Sequence, residues 1–431
     1  MKESLRKRPD RLSREIQEHL RVPGADLKSL RVYLMERENL SFLEAEELAG
    51  AVAERLDREK FPPITEMELM LTEECDQRCD YCFVEGKNNH YRMDGETARR
   101  AVEFLFCHSR KRPRLKILFF GGEPLLEYDR LREVVEDAEA RAAETGQSVI
   151  FNMTTNASLL DRERCEYLAA HRVKYLVSID GPREVHDRHR KRPDGKSSYG
   201  LIAENIPLMK KYQPWLGARI TVHPDTAGEL PESFSHLVEL GFSQFLIGPA
   251  TGIEWTGRDL DLYRDSMIEI ARRLKAAIDR GRKLRVNALE ESLKMRAGKK
   301  LYRGCRAGRQ SVTVTGEGEI YPCSKMLGVM GREGLNPLGS LAEGITAIHD
   351  RLRYCGLIPT ASSACESCRW EDICTGGCFA VNWQETGEIF RPSPSECRFQ
   401  ERIVEIMKAA EPILGEEYFR AAVKNLQRKL S

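Results

Sequence analysis

The placement of the cysteines is the feature of this sequence that most constrains its fold. The chain has 431 residues and 13 cysteines. Ten of these cysteines fall into two groups with the spacing expected of metal ligands. The first group is Cys75, Cys79 and Cys82, and the second group is Cys305, Cys323, Cys365, Cys368, Cys374, Cys378 and Cys397.

The N-terminal residues give no sign of export. Residues 1–8 are mostly charged and lack the apolar core of a signal peptide, and no later segment reaches the about 18 uncharged apolar residues of a membrane span. We therefore expect a cytoplasmic protein, in which thiols stay reduced. Metal binding or catalysis then explains the cysteine groups better than disulfide bonds do.

The composition is that of a globular protein without a dominant charge. Hydrophobic residues make up 41% and charged residues 31%, with 68 Lys and Arg against 67 Asp and Glu. Such a balance favours neither nucleic acid nor an anionic membrane as a partner. The length exceeds what one core usually supports, so we expect more than one domain.

Short β-rich runs alternate with amphipathic helical patterns between residues 66 and 250, which predicts a parallel sheet built from βα units. Six units fit a partial (β/α)6 barrel of the TIM type, in an α/β protein, with its functional end at the carboxyl ends of the strands. The predicted strands are Glu66–Thr72, Leu115–Phe120, Ser148–Thr154, Val173–Ile179, Leu216–His223 and Gln244–Gly248. Helical patterns lie near 95–109, 127–145, 159–170, 199–213, 232–240 and 258–281.

The barrel is expected to lie between two further regions. Residues 1–60 predict two or three helices, one of which begins with a capping box formed by Ser41 and Glu44. We expect this helical extension, a barrel over residues 61–282, and a cysteine-rich domain over 283–431 that ends in a helix.

The first cysteine group follows the first predicted strand directly. A [4Fe–4S] cluster has four irons, so the thiolates of Cys75, Cys79 and Cys82 would leave one iron open to a small chelating molecule. A three-cysteine zinc site and buried structural thiols are the alternatives. After the next strand comes the run Gly121-Gly122-Glu123-Pro124, in which glycines permit a close backbone approach and the carboxylate can accept hydrogen bonds from an ammonium group.

On these motifs the chain resembles the radical S-adenosylmethionine (SAM) enzymes, whose signature is a Cys-x3-Cys-x-aromatic-Cys loop after the first strand. The resemblance implies catalytic roles for the three loop cysteines. It also implies that a reduced cluster cleaves SAM to a 5′-deoxyadenosyl radical, which takes hydrogen from a substrate, with a flavodoxin or ferredoxin as electron donor. The positions that it assigns to SAM binding are Tyr81, Gly121, Gly122, Glu123, Pro124, Asn156, Ser178, Arg219 and Ile247.

The second cysteine group is similar to the SPASM domain of peptide-modifying radical enzymes, with zinc binding as the alternative. The resemblance implies two auxiliary clusters and hence three [4Fe–4S] clusters in all. The distal cluster would use Cys365, Cys368, Cys374 and Cys397. The proximal cluster would use Cys305, Cys323 and Cys378, which is one ligand short, and its open iron is expected to take a substrate thiolate, solvent or Cys355.

Ser324 stands where sulfatase-maturing relatives carry an aspartate as a candidate base. Because a serine hydroxyl cannot act as a base at neutral pH, the resemblance favours enzymes that modify ribosomally made peptides, and thioether formation in particular. We therefore expect a peptide or small protein substrate, with or without a leader sequence. Sulfatase-type formylglycine formation, oxidation of a small molecule and a non-enzymatic iron–sulfur protein are the alternatives.

Two further features are interpreted as structural. The histidines of the run from His186 to Arg190 are expected to order a loop near the active site rather than to bind their own ion. Cys107 and Cys165 lie in helical patterns among apolar neighbours and are expected to be buried.

Overall fold

The computed structural model describes residues 9–84, 91–290, 305–357, 365, 368 and 376–430. The strands are β1 Glu66–Thr72, β2 Arg78–Cys79, β3 Arg114–Gly121, β4 Ser148–Thr155, β5 Lys174–Ser178, β6 Arg190–Lys191, β7 Gly217–Val222, β8 Gln244–Pro249, β9 Arg285–Val286, β10 Ser311–Val314, β11 Glu319–Tyr321, β12 Gly339–Ser340 and β13 Gly344–Ile345. The helices before the barrel and within it are α1 Pro9–Leu20, α2 Leu27–Glu38, α3 Phe42–Glu59, α4 Gly95–His108, α5 Tyr128–Thr145, α6 Arg162–Ala170, α7 Arg183–His189, α8 Tyr199–Tyr212, α9 Leu230–Glu239 and α10 Gly257–Asp279. The later helices are α11 Asn287–Glu290, α12 Ser324–Gly334, α13 Ile348–Tyr354, α14 Phe379–Thr386 and α15 Pro394–Leu430.

The predicted six-unit partial barrel is confirmed. Strands β1, β3, β4, β5, β7 and β8 are neighbours in that order, and every pairing among them is parallel. All six strands lie within one residue of their predicted bounds. The helix predicted from residue 159 begins instead at Arg162, because the side chain of Asp161 caps it by accepting the Arg164 amide at 2.8 Å.

The N-terminal helices α1 to α3 are confirmed and have a small core of their own. Ser41 and Glu44 form the predicted capping box at the start of α3. Two backbone contacts join this region to the C-terminal part of the chain, from Leu27 to Thr346 and from His349 to Ala25. The buried members of this core are Ile16, Leu20, Leu30, Leu34, Leu40, Ala45, Ala49, Phe61 and Ile348.

The barrel sheet continues into the C-terminal half of the chain. Strand β10 pairs in parallel with β1, so that Glu68 lies beside Thr313, and β11 to β13 add antiparallel strands beyond it. At the other side, α15 packs along α10, with Arg402 3.2 Å or less from both Asp261 and Glu405. No helix in the described part of the chain is long and apolar enough to cross a membrane.

Truncating a core residue of the N-terminal helices tests whether they are an integral part of the fold. Leu34 is fully buried, so Leu34→Ala should lower the free energy of unfolding by about 2–5 kcal/mol. The neighbouring Met35 is 37% exposed, and Met35→Ala should change it by less than about 0.5 kcal/mol. Thermal and urea denaturation followed by circular dichroism measure both, and equal effects would refute a packed N-terminal core.

Candidate active site

The first cysteine group lies in a loop at the carboxyl ends of the barrel strands. This loop leaves β1 after Thr72, and its residues Arg78 and Cys79 pair with Lys191 and Arg190 as the short ribbon of β2 and β6. The Asp80 amide also donates to the His189 carbonyl at 3.2 Å. Backbone hydrogen bonds therefore fix the loop to the segment that follows β5.

The thiols of this loop are surrounded by hydrogen-bond donors. Cys75 Sγ accepts the Gln77 amide at 3.4 Å and lies 3.8 Å from Asn156 Nδ2, while Cys79 Sγ lies 4.0 Å from Arg190 Nη1. Burial raises the pKa of Cys79 to about 11 and that of Cys75 further. Donors of this kind stabilise thiolates, and a bound metal would deprotonate both groups despite their burial.

Among the residues that the structure describes, one set of three side chains has all its ligand atoms within 4.8 Å of one another, and it is not a cysteine set. The sulfurs of Cys75, Cys79 and Cys82 therefore do not all lie within that distance of one another. Three thiols from one loop suit a cluster with one open iron, as the sequence predicts.

The two glycines after β3 approach the backbone of the cysteine loop. A Cβ on Gly121 would lie 2.2 Å from the Thr72 carbonyl oxygen, and one on Gly122 would lie 1.9 Å from that of Glu74. Gly121 also has a φ of 120°, which side-chain-bearing residues rarely adopt. Only glycine fits at either position, and the amides of Gly122 and Glu123 donate to those same two carbonyls at 2.9 and 2.8 Å.

Glu123 is buried at the junction of β3 and β4. Its carboxylate accepts hydrogen bonds from the amides of Leu125 (3.1 Å) and Asn156 (2.7 Å) and from the Thr155 hydroxyl (2.7 Å). Burial raises its pKa to about 7 in spite of these three donors. The structure therefore gives this carboxylate three protein donors, and its expected contact with an ammonium group stays a prediction.

The side of the site nearest β5 is organised by a buried ion pair that sequence analysis missed. Arg190 Nε donates to Asp180 Oδ2 at 2.8 Å, the Thr221 amide donates to Oδ1 at 2.9 Å, and the Tyr81 hydroxyl donates to the same carboxylate. Burial alone would raise the pKa of Asp180, but Arg190 holds it below its usual value. The position of Asp180 directly after a strand is the signal that could have identified it.

Asp76, inside the cysteine loop, is a second polar residue that was missed. Asn156 Nδ2 donates to its Oδ1 at 2.6 Å, and the Ser158 hydroxyl donates to its Oδ2. These bonds tie the loop to the end of β4 and orient Asn156, one of the expected SAM-binding residues.

Arg219 presents a cation at the same end of the barrel. It lies on β7 directly beside Ser178 on β5, and burial lowers the pKa of its guanidinium. None of the residues that the structure describes forms a side-chain hydrogen bond or ion pair with it. Ile247 follows on β8, where it is buried and donates its amide to Asn287. An unpaired, half-buried cation favours an anionic ligand group beside it.

The histidines that follow β5 have structural partners. His186, buried, accepts the Asp180 amide at Nδ1 (3.3 Å) and contacts the Ser198 hydroxyl at Nε2 (2.9 Å), which orders the loop as expected. His189, His223 and Asp225 are the set of ligand atoms that lie within 4.8 Å of one another. Asp225 Oδ1 is 2.9 Å from His189 Nε2 and 2.7 Å from His223 Nδ1, so the set is satisfied by its own hydrogen bonds.

Three cysteines of the second group lie near one another. Burial raises the pKa of the Cys323 thiol, and the nearby Glu68, Cys305 and Cys378 raise it further. The Cys323 sulfur accepts the Lys325 amide at 3.3 Å. The side chain of Cys355 packs instead against the core of the N-terminal helices. Of the expected distal ligands, Cys374 lies outside the described residues, while Cys365 is half-buried and Cys368 and Cys397 are exposed.

The two cysteines expected to be buried in helices differ in their exposure. Cys165 is fully buried, as predicted. The prediction for Cys107 is wrong, because the thiol lies on the exposed face of α4 near the end of that helix.

Comparison with known proteins identifies the barrel. Residues 69–237 match the model of the Radical SAM superfamily. A serine-type anaerobic sulfatase-maturating enzyme of Klebsiella aerogenes is 22% identical over 314 residues, which cover 70% of this chain and 76% of that protein. The radical SAM cyclopropyl synthase TigE of Paramaledivibacter caminithermalis is 20% identical over 376 residues, with coverages of 78% and 72%.

Solved structures show the same fold. Native anSMEcpe with bound AdoMet and the Cp18Cys peptide matches with a TM-score of 0.66 at 17% identity, over 83% of this chain and 99% of that one. Streptococcus suis SuiB bound to its precursor peptide SuiA matches with a TM-score of 0.55 at 17% identity, over 83% and 81%. The chain therefore carries a Radical SAM superfamily domain in the mixed α/β fold of these proteins.

Proposed function

We propose that this protein is a radical SAM enzyme that oxidises a residue of a peptide or small protein. The observation that carries the proposal is the meeting of two features at one end of the barrel. One is the three-cysteine loop that follows β1, and the other is Arg219, which has no side-chain partner among the described residues. Relatives and structural neighbours named for sulfatase maturation, cyclopropyl synthesis and peptide binding support the substrate class.

In this proposal Cys75, Cys79 and Cys82 hold the catalytic [4Fe–4S] cluster, which together with SAM supplies a radical able to take hydrogen from a C–H bond. The residues of the chain bind and orient SAM. Arg219 and Ser178 receive the SAM carboxylate, Asn156 the ribose, and Tyr81 and Ile247 the adenine. Gly121, Gly122 and Pro124 present backbone to the amino group, and Glu123 holds these strand ends in register.

The second cysteine group is proposed to hold auxiliary clusters in a SPASM domain over residues 283–431. Cys305, Cys323 and Cys378 form the proximal site, and Cys365, Cys368, Cys374 and Cys397 form the distal one. Cys305 and Cys323 flank β10 and β11, the strands that extend the barrel sheet beyond β1. The proximal site is thus suited to accept an electron from the oxidised substrate, while a flavodoxin or ferredoxin supplies the catalytic cluster.

Thioether formation in a ribosomally made peptide is the proposed reaction, because Ser324 offers no base where sulfatase-maturing relatives carry an acid. Formylglycine formation is the second candidate, and one observation favours it. The Glu68 carboxylate accepts the Ser324 amide at 3.3 Å, so an acid does lie at this place in the fold.

Loss of a cluster ligand tests the radical chemistry. Cys79→Ala should lower the iron content after anaerobic reconstitution and abolish 5′-deoxyadenosine formation, because the remaining two thiolates cannot hold the cluster. Cys107→Ala, which removes an exposed thiol, should leave both unchanged. Iron analysis and chromatography of the SAM products measure the effect. Zinc in place of iron in the unmodified protein would refute the proposal.

Removing the unpaired cation tests the SAM site. Arg219→Gln should raise the KM for SAM by about 10- to 100-fold, because a hydrogen bond between charged groups contributes about 1.5–3 kcal/mol. Since the guanidinium has no partner among the described residues, the melting temperature should not fall. Arg188→Gln, which removes a guanidinium paired with Glu229, serves as the control. An unchanged KM would contradict the proposed role of Arg219 in SAM binding.

Cys323→Ala tests whether the two cysteine groups have separate roles, and the product of the unmodified enzyme identifies the reaction. We expect it to spare SAM cleavage while abolishing peptide modification, because the catalytic loop does not include Cys323. With the unmodified enzyme and a cysteine-containing peptide, mass spectrometry should show loss of two hydrogen atoms with sulfur retained. Loss of sulfur would indicate formylglycine instead, and modification by the Cys323→Ala variant would contradict an auxiliary role.

A further inference from the structure

Glu68 is a carboxylate that lies against the proximal cysteine group without a cation. It points from β1 toward β10, where its Oε2 accepts the Thr313 hydroxyl at 2.8 Å and the amide of Ser324, the residue next to Cys323, at 3.3 Å. The carboxylate therefore lies beside the turn that carries Cys323.

Comparison with a second glutamate on the same strand shows that Glu68 lacks a cationic partner. Glu66, two residues earlier on the same face of β1, is paired with Lys116 and Arg306. Glu68 is half-buried, yet no Lys, Arg or His of the described chain pairs with it, and no described donor reaches its Oε1. A half-buried carboxylate without a cation costs free energy unless a positive group is bound beside it.

We propose that the Glu68 carboxylate is the fourth ligand of the proximal cluster, occupying the iron that Cys305, Cys323 and Cys378 leave open. The inference rests on the auxiliary cluster of the proposed function. Iron accepts carboxylate oxygens as ligands, and the hydrogen bonds from Thr313 and Ser324 to Oε2 leave Oε1 available for the metal.

A carboxylate ligand can give way to a substrate cysteine, because iron–sulfur centres favour the softer thiolate. In that exchange the bond from iron to Glu68 breaks, a bond from iron to the substrate sulfur forms, and the thiol proton passes to the released carboxylate. No electron is transferred, and the charge of the site is unchanged. Glu68 would thus act as ligand before the substrate binds and as proton acceptor when it does.

Glu396 is the other carboxylate near this group and makes a different set of contacts. Its Oε2 accepts the amide of Cys378 at 3.1 Å, and it lies next to Cys397 in sequence. Burial raises its pKa, and Gln400 also bonds to its side chain. These contacts orient the loop before α14, so Glu396 serves as a comparison for Glu68.

The test uses the full chain with Cys75, Cys79 and Cys82 replaced by alanine, so that the catalytic cluster does not contribute. The protein is labelled with ¹³C-glutamate, reconstituted and reduced, and electron–nuclear double resonance records the coupling of carboxylate carbon to the cluster. We expect a ¹³C coupling that is lost in Glu68→Gln and kept in Glu66→Gln and Glu396→Gln. Glu68→Asp, which keeps the carboxylate, should retain a weakened coupling when that variant is labelled with ¹³C-aspartate instead.

Three results would overturn the inference. A coupling that persists in Glu68→Gln, or that disappears in Glu396→Gln instead, would assign the ligand elsewhere. The absence of any ¹³C coupling in a protein that does show an auxiliary-cluster signal would leave Glu68 outside the coordination sphere. The absence of that signal itself, with zinc or no metal bound, would refute the proposed auxiliary cluster and not only the ligand.

Discussion

The close contact between the end of β3 and the cysteine loop is the constraint on which the site depends. Two successive amides, of Gly122 and Glu123, donate to two carbonyls of the loop, and the absence of side chains at Gly121 and Gly122 allows the backbones to meet. The buried Glu123 carboxylate then fixes the neighbouring end of β4. Main-chain hydrogen bonds and the side-chain bonds of Asp76 therefore hold the loop that carries Cys75.

Two arginines at this end of the barrel illustrate how burial acts on charge. Arg190 is paired with Asp180, and this pair orients Tyr81 and supports the ribbon that carries Cys79. Arg219 is half-buried, and no described residue provides such a partner for its guanidinium. A half-buried cation of this kind favours an anionic ligand group beside it, and the half-buried Glu68 carboxylate favours a positive one.

The fold was largely predictable because its signals are local. The β-rich runs of the strands and the capping box of Ser41 act within a few residues, and the cysteines of the first group are close in sequence. The contacts of Asp180 with Tyr81 and Arg190 join separate segments, so no local pattern shows them. Glu68 resembles an ordinary solvent-facing strand position until the register with β10 is known. Cys107 was predicted to be buried, but its place near the end of α4 leaves the thiol exposed.

Strand β1 belongs to both halves of the proposed chemistry. Its face carries Glu68, and its carboxyl end leads into the loop of Cys75. At about 3.3 Å per residue, the four residues from Glu68 to Thr72 span about 13 Å, along which β1 pairs with β3 and, as far as Leu69, with β10. Glu68 and the start of the cysteine loop are therefore separated by one length of sheet strand and not by a linker between domains. A change of substrate size within this architecture would require remodelling of the surrounding loops, because the strand itself cannot lengthen without shifting the register on both sides.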